Sequence, residues 1–164
     1  MLIRALRHLF DFGRARRAFP PASFDAIQHA VSAGEQGHRG EICFAVEGGL
    51  PLAFVLRGSS PRERALDVFA QLRVWDTQDN TGVLVYVQLA DHAIEIVADR
   101  GVAAHIDDAR WQAICTAAKE HFLGRRYEVG ALEAVRATAA LLAAHLPAHD
   151  GDNPDERPNR PVRL

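Results

Sequence analysis

The sequence predicts an α/β fold: a single-domain, three-layer α/β/α sandwich with a mixed β-sheet. Two observations set the sheet. The apolar run EICFAVEG precedes a well-marked helix start and a second apolar run, GVLVYVQLA, the pattern of a strand, a crossover helix and a parallel strand. Little more than DH separates that second run from a third, HAIEIVADRG, so these two pair as an antiparallel hairpin. A third observation supplies the layers, because amphipathic helical stretches lie before, between and after the strands and can cover both faces. With 164 residues, 48% of them hydrophobic, the chain is the size of one domain able to bury a continuous core.

Each element has a local cause. After Pro20 and Pro21, Ser23 is placed as the N-cap of a helix whose apolar side is Phe24, Ile27 and Val31, ended by GEQGHRG. In the first strand Ile42, Phe44 and Val46 alternate with the smaller Cys43 and Ala45, which fits a strand covered on both faces. LPLAFVLRG is ambiguous and is read as an extension of that strand. Ser60, Pro61 and Glu63 form a capping box with proline at the first helical position, and Ala65, Val68, Phe69 and Leu72 are the buried stripe that follows. Asp107 caps a helix running to Leu123, with Ile106 and Trp111 at the spacing of a hydrophobic staple and Ile114, Ala118 and Phe122 continuing its inner face. GRRYEVG connects to a last helix over 129–146 that buries Leu132, Val135, Ala139, Leu142 and Leu146, and Pro147 stops it.

Composition narrows the function classes. A formal net charge of −2 and few aromatic residues exclude a nucleic-acid platform. Cys43 and Cys115 stand in apolar contexts without metal or disulfide spacing and read as buried thiols of a reducing compartment. No window is apolar enough to span a membrane, and the N-terminus lacks the core of a secretory signal. On a helix, Leu2, Ile3, Leu6, Leu9 and Phe10 share one face while Arg4, Arg7, His8 and Asp11 share the other, and Arg14, Arg16 and Arg17 follow. Residues 1–18 are therefore a basic amphipathic segment that either contacts an anionic membrane surface or a membrane-protein partner, or packs on its own domain. Residues 19–146 are the folded domain, and 147–164, rich in Pro, Asp and Arg, reads as a disordered polar tail.

Acidic residues gather around the hairpin. The loop before its first strand and the residues after its second lie at the same edge of the sheet, so Asp76, Asp79, Asn80 and Asp99 converge there and offer oxygen ligands to Ca2+ or Mg2+, with Arg100 beside them to bind phosphate. Asp91, in the tight turn, lies at the opposite end. Turn chemistry alone accounts for the same residues, since Asp and Asn bond nearby backbone, and the spacing is not that of an EF-hand. No motif for an organic cofactor is present. RGSSPRER lacks the lysine of a phosphate loop and is read as a capped helix start. His145 and His149 have Pro147 between them and no third ligand, Trp75 and Trp111 are placed in the core, and the other histidines are isolated.

The stretches GEICFAVE, RALDVFAQLRVWDTQDNTGVLVYVQLADHAIEIVADRGV and YEVGALEAVRATAALLAAHL, in that order over residues 19–146, resemble the TPM-domain family. That family includes thylakoid-lumen proteins linked to photosystem II repair, a nematode receptor modulator and many bacterial proteins, and the chain looks like its short, signal-less bacterial subgroup. Two local departures stand out: the usual NG appears as Asn80, Thr81, Gly82, and the glycine-rich segment after the second hairpin strand as Asp99, Arg100, Gly101, Val102, Ala103. The resemblance implies a compact α/β/α domain, with calcium binding and acid phosphatase activity proposed for some members. The expected function is a TPM-like binding or adaptor domain that is cytoplasmic, peripheral on the inner membrane, and binds a divalent cation. The alternative is a metal-assisted acid phosphatase, although the sequence shows no aspartate-nucleophile, Cys-x5-Arg or two-metal histidine signature.

Overall fold

The computed structural model describes residue 8, residues 13–148 and residues 155–164. Helices α1 (Arg14–Ala18) and α2 (Pro21–Glu35) lead into β1 (Glu41–Glu47). Two further helices, α3 (Leu52–Leu56) and α4 (Pro61–Gln71), carry the chain to β2 (Gly82–Gln88), which turns back through β3 (Ala93–Ala98). The one-turn α5 (Arg100–Ala103), the long α6 (Asp108–Leu123) and α7 (Tyr127–His145), and the short β4 (Val162–Arg163) complete it.

The four strands form one sheet in the order β3-β2-β1-β4. β1 and β2 are parallel from Glu41 opposite Gly82 to Glu47 opposite Gln88, and β2 and β3 are antiparallel from Val83 opposite Ala98 to Gln88 opposite Ala93. This is the mixed sheet expected from the crossover helix and the hairpin. Ile42, Phe44, Val46, Val83, Val85 and Val87 face the layer that holds α2, α6 and α7, where Ile27, Val31, Trp111, Phe122, Val135 and Leu142 pack against them. Ala45, Leu84, Tyr86 and Val97 face the other way, onto Ala65 and Val68 of α4. Every residue of β2 is buried, as a central strand covered on both sides requires. At roughly 1.5–3 kcal/mol for each large apolar side chain removed from water, that strand contributes to the cohesion of both layers.

The helix caps agree with their sequence signals at two places. Glu63 N donates to Ser60 Oγ at 3.1 Å while Ser60 N donates to the Glu63 carboxylate at 2.7 Å, completing the capping box of α4. Arg110 N donates to the Asp107 carboxylate at 3.1 Å at the start of α6, and Ile106 and Trp111 are both buried, as the staple demands.

Five expectations are corrected. Helix α2 begins at Pro21 with Pro20 as its cap, and Ser23, expected to cap it, is buried with its hydroxyl donating to Glu128 at the start of α7. LPLAFVL is not a strand extension: Pro51 starts α3, and Gly58 at φ 72° follows its end. Asp99 does not simply leave a strand but caps α5. Trp75, placed in the core, is 46% exposed with the Arg73 guanidinium 5.6 Å from its ring centre. Residues 155–164, read as part of a disordered tail, form β4 and pair in parallel with β1, Ala45 opposite Val162 and Val46 opposite Arg163. The segment holds on through few but directed contacts, including Leu164 N donating to Val46 O at 3.0 Å and Arg163 donating to Phe19 O at 2.8 Å while stacking 4.5 Å over Phe24. Composition counts large apolar side chains and therefore misses order supplied by backbone pairing and arginine.

Candidate functional site

At one edge of the sheet the loop before β2 meets the residues after β3, as hairpin geometry requires. Asp99 N donates to Gly82 O at 2.9 Å and Gly101 N to Asn80 O at 3.0 Å. The approach is close enough that a Cβ on Gly101 would run into the carbonyl oxygens of Asp79 and Asn80, and one on Gly82 into that of Val74. Asn80 adopts φ 56°, a conformation asparagine tolerates better than most residues. The backbone thus converges, but the side chains are drawn elsewhere. Asp76 pairs with Arg73 at 2.9 Å and lies 3.9 Å from Arg157, and Asp79 pairs with Arg39 at 3.7 Å. One oxygen of Asp99 accepts the Arg100 N–H at 2.7 Å, while its Oδ2 is buried with no hydrogen-bond partner among the described residues. Arg100 is exposed on α5.

A different set of carboxylates comes together between α2, β1 and the C-terminal segment. Oxygens of Glu35, Glu41 and Asp155 lie within 4.8 Å of one another and, with Ser32, Gln36 and Asn159, line a cavity of about 330 Å3. Glu35 accepts Ile42 N at 3.0 Å. The two oxygens of Glu41 accept Glu156 N at 3.3 Å and Arg157 N at 3.2 Å. Burial pushes Glu35 up to about 8, with the neighbouring charges of Glu41 and Asp155 adding to it. Burial, then Asp155 and Glu156, push Glu41 up to about 7 against the lowering effect of its two backbone donors. Burial thus favours the protonated forms of Glu35 and Glu41, whose oxygens accept backbone N–H groups.

The third feature is basic. Arg14 and Arg17 of α1, Arg125 from the α6–α7 connection, His92 and Tyr127 line a cavity of about 470 Å3 together with Leu89 and Ala90, and among the described residues no Asp or Glu lines it. The β2–β3 turn that supplies His92 also anchors His8. Leu50 N donates to His8 Nδ1 at 2.9 Å, Gln88 Nε2 lies 3.3 Å from the same nitrogen, and Asp91 sits 3.3 Å from Nε2. His8, placed by periodicity on the polar face of the N-terminal segment, is only 4% exposed. Leu2, Ile3, Arg4, Leu6, Arg7, Leu9 and Phe10 lie outside the described residues. Asp91 lies at the end of the sheet opposite the acid loop, as expected.

Comparison with known proteins decides the family. The TPM domain profile matches residues 16–141, most of the chain. The chain belongs to the TPM-domain family. The NMR structure of the BA42 protein from Bizionia argentinensis superposes with a TM-score of 0.76 at 26% sequence identity, covering 87% of this chain and 93% of that one. The N-terminal domain of a P. gingivalis protein superposes with a TM-score of 0.61 at 19% identity, covering 79% and 81%, and supports the fold alone. No curated protein matches the sequence.

In this TPM domain the residues read as a cation set divide. Asn80 and Asp99 are brought to the same edge by backbone bonds, to Gly101 and Gly82 respectively, whereas Asp76 and Asp79 are each engaged by arginine. His145, dismissed as a ligand, has its Nε2 3.3 Å from Arg110, and His149 lies outside the described residues. Both cysteines are half-buried, and burial pushes each thiol up to about 11, so neither is poised as a nucleophile. Sequence reasoning missed Glu35, Glu41 and Asp155, because the third member comes from a segment judged unfolded. It missed the grouping of Arg125 and His92 with Arg14 and Arg17, because α1 and the α6–α7 connection meet only in the tertiary structure. The alternation of Val162 and Leu164 in PVRL was the one local hint of β4.

Proposed function

We propose that this TPM domain is a binding module that attaches to the anionic cytoplasmic surface of a membrane through a basic face around α1. The supporting observation is the cavity lined by Arg14, Arg17 and Arg125, with no acidic residue lining it among the described residues. Its arginines come from two separate segments, so their grouping is a property of the fold and not of one charge-rich stretch. Guanidinium groups suit phosphate because their planar forks offer paired donors. His8, from the basic amphipathic segment, is held at the β2–β3 turn that also supplies His92 to this face. Among the described residues no helix is long and apolar enough to cross a membrane, so attachment to a lipid surface would be peripheral.

Co-sedimentation of the full chain with vesicles containing phosphatidylglycerol tests this. Binding should be strong at low salt and fall as salt rises, and reversing Arg14, Arg17 and Arg125 to Glu should weaken it by at least tenfold, since each basic residue near such a surface contributes about 1 kcal/mol. Equal binding to neutral vesicles, or no loss in the triple variant, refutes the lipid reading, and capture of a membrane protein by the unaltered chain alone would redirect it to that partner.

A second reading has its own observation. The unmet Oδ2 of Asp99 is an acceptor that a divalent cation would satisfy, with the Asp79 and Asn80 carbonyls close by. Calorimetric titration with Ca2+ and Mg2+ should then show binding that Asp99→Asn abolishes and Asp79→Asn weakens. An absence of binding heat up to millimolar metal would leave those residues as turn and cap residues. Acid phosphatase activity, the alternative function, gains no comparable support, since Asp76 and Asp79 are already paired with arginine and neither cysteine is activated.

A further inference from the structure

Four of the large apolar side chains that the fold leaves in solvent lie at one end of the sheet. Leu52 and Leu56 of α3, and Leu123 and Val129 around the α6–α7 connection, are from 48% to 63% exposed. β1 and β2 are parallel, so the chain leaving Glu47 and the turn after Gln88 share that end, and Leu89 N donates to Glu47 O and Ala90 N to Gly48 O, both at 3.0 Å. α3 starts there, since Leu50 N donates to His8 Nδ1 and Asp91 of the same turn lies 3.3 Å from His8 Nε2. The α6–α7 connection reaches it from the other layer, where Arg125 and Tyr127 share a cavity with Leu89, Ala90 and His92.

Each pair has a local reason to protrude. Residues 52 and 56 are one helical turn apart and share a face, and Val55, on the other side, is the one buried residue of α3. Leu123 ends α6 and Val129 lies in the first turn of α7, on either side of the exposed Arg125 and Arg126. The inner faces there are taken by Phe122 of α6 and by Gly130 and Ala131 of α7, all buried. Single exposed leucines are ordinary on any surface, but these are interleaved with cations. The exposed Arg57 follows Leu56, and Arg14 joins Arg125 at the cavity. Two acids at this end are engaged within the fold, Asp91 by His8 and Glu128 by the Ser23 hydroxyl. Arginine beside leucine suits the boundary where headgroup phosphates meet acyl chains, because the arginine stem stays with the carbon chains while the guanidinium stays at the phosphate.

We propose that this end of the sheet enters the interface of an anionic bilayer, with Leu52, Leu56, Leu123 and Val129 as apolar anchors around the basic cavity. The proposal rests on the lipid reading above and goes beyond it in two respects. Attachment has an apolar part that salt does not remove, and the domain is oriented, with the acid loop and Trp75 at the end of the sheet away from the membrane.

The test is a salt titration of the full chain on phosphatidylglycerol vesicles, repeated with Leu123→Ser/Val129→Ser and with Leu52→Ser/Leu56→Ser. Each pair should weaken binding about tenfold or more at every salt concentration without changing the steepness of the salt dependence. Binding that the unaltered chain keeps at about 1 M salt, where exposed charges are screened, should vanish in both. Reversing Arg14, Arg17 and Arg125 to Glu should instead flatten the salt dependence. Depth is read separately from Leu123→Trp on vesicles with brominated acyl chains: the added indole should be quenched, whereas the emission of the unaltered chain, from Trp75 at the far end and the buried Trp111, should not. Should a serine pair lower the unfolding midpoint, the quenching result alone decides. Arginine-dependent binding in which neither pair matters and the added indole is not quenched overturns the anchors and leaves the electrostatic reading standing. No binding to anionic vesicles at low salt overturns both. A dimer that the same serine changes dissolve, with no quenching on vesicles, gives this surface to a second copy and overturns the proposal.

Discussion

Arg64 is a buried cation on α4 whose partners come from three places. Its Nε and Nη2 donate to the two oxygens of Glu47 at 3.0 and 2.8 Å, a bidentate pair, while Nη1 reaches Asp67 and the Tyr86 hydroxyl donates to the same Glu47 at 2.6 Å. Phe54 of α3 covers the guanidinium at 4.9 Å. Burial and the adjacent Glu47 charge push the Tyr86 phenol far up, so it stays a neutral donor. The pair contributes less than its geometry implies, because two ions have left water, but removing one side alone leaves an uncompensated buried charge. Glu47→Ala should therefore destabilise the domain by about 3–5 kcal/mol, against about 1 kcal/mol for Tyr86→Phe, measured by chemical denaturation. None of this network was legible in the sequence. Glu47, Arg64 and Tyr86 are individually ordinary, and their meeting depends on the register of β1 against β2, with Glu47 opposite Gln88.

Helices and strands were legible where their cause is local. The Ser60 capping box and the Asp107 cap are written within four residues, and both are present as read. Ser60→Ala should cost about 1 kcal/mol in thermal or denaturant unfolding, because the bond to Glu63 N is exposed and the reciprocal bond from Ser60 N remains. Ser23 shows the limit of the same logic. A serine after two prolines carries a cap signal, but the tertiary structure uses it on Glu128, 105 residues away. LAFVL likewise has the β-branched and aromatic content of a strand, yet Pro51 starts a helix and propensity yields to it. The acid loop was legible as a place and not as a constellation. Hairpin pairing predicted that the loop 75–81 would meet Asp99 and Arg100, but which way each carboxylate points depends on Arg39 and Arg157, which no local rule associates with them.

Across the whole molecule, the two candidate faces lie at different ends of one sheet. The basic cavity opens at the β2–β3 turn with α1, whereas Glu41 sits at the start of β1, opposite Gly82, where the acid loop enters. A chain with a formal net charge of −2 thus separates its charges in space, and the overall figure hid both faces from composition. The layer order, the mixed sheet and the crossover were all accessible because they follow from hydrophobic period and connection length. The fourth strand was not, since Val162 pairs with Ala45, from far earlier in the chain.

That long-range pairing has a consequence for how the protein is made. β1 is translated early and its partner β4 after every other strand, so on the ribosome β1 carries an open edge beside Ala45 and Val46 until residues 162 and 163 emerge. During that interval a neighbouring nascent chain on the same message displays the identical edge. An unpaired strand is a template for whichever extended segment arrives first, and here the arriving segment is short and arginine-bearing. Until its own residues 162 and 163 arrive, each β1 edge is therefore open to the matching segment of a neighbouring chain as well as to its own.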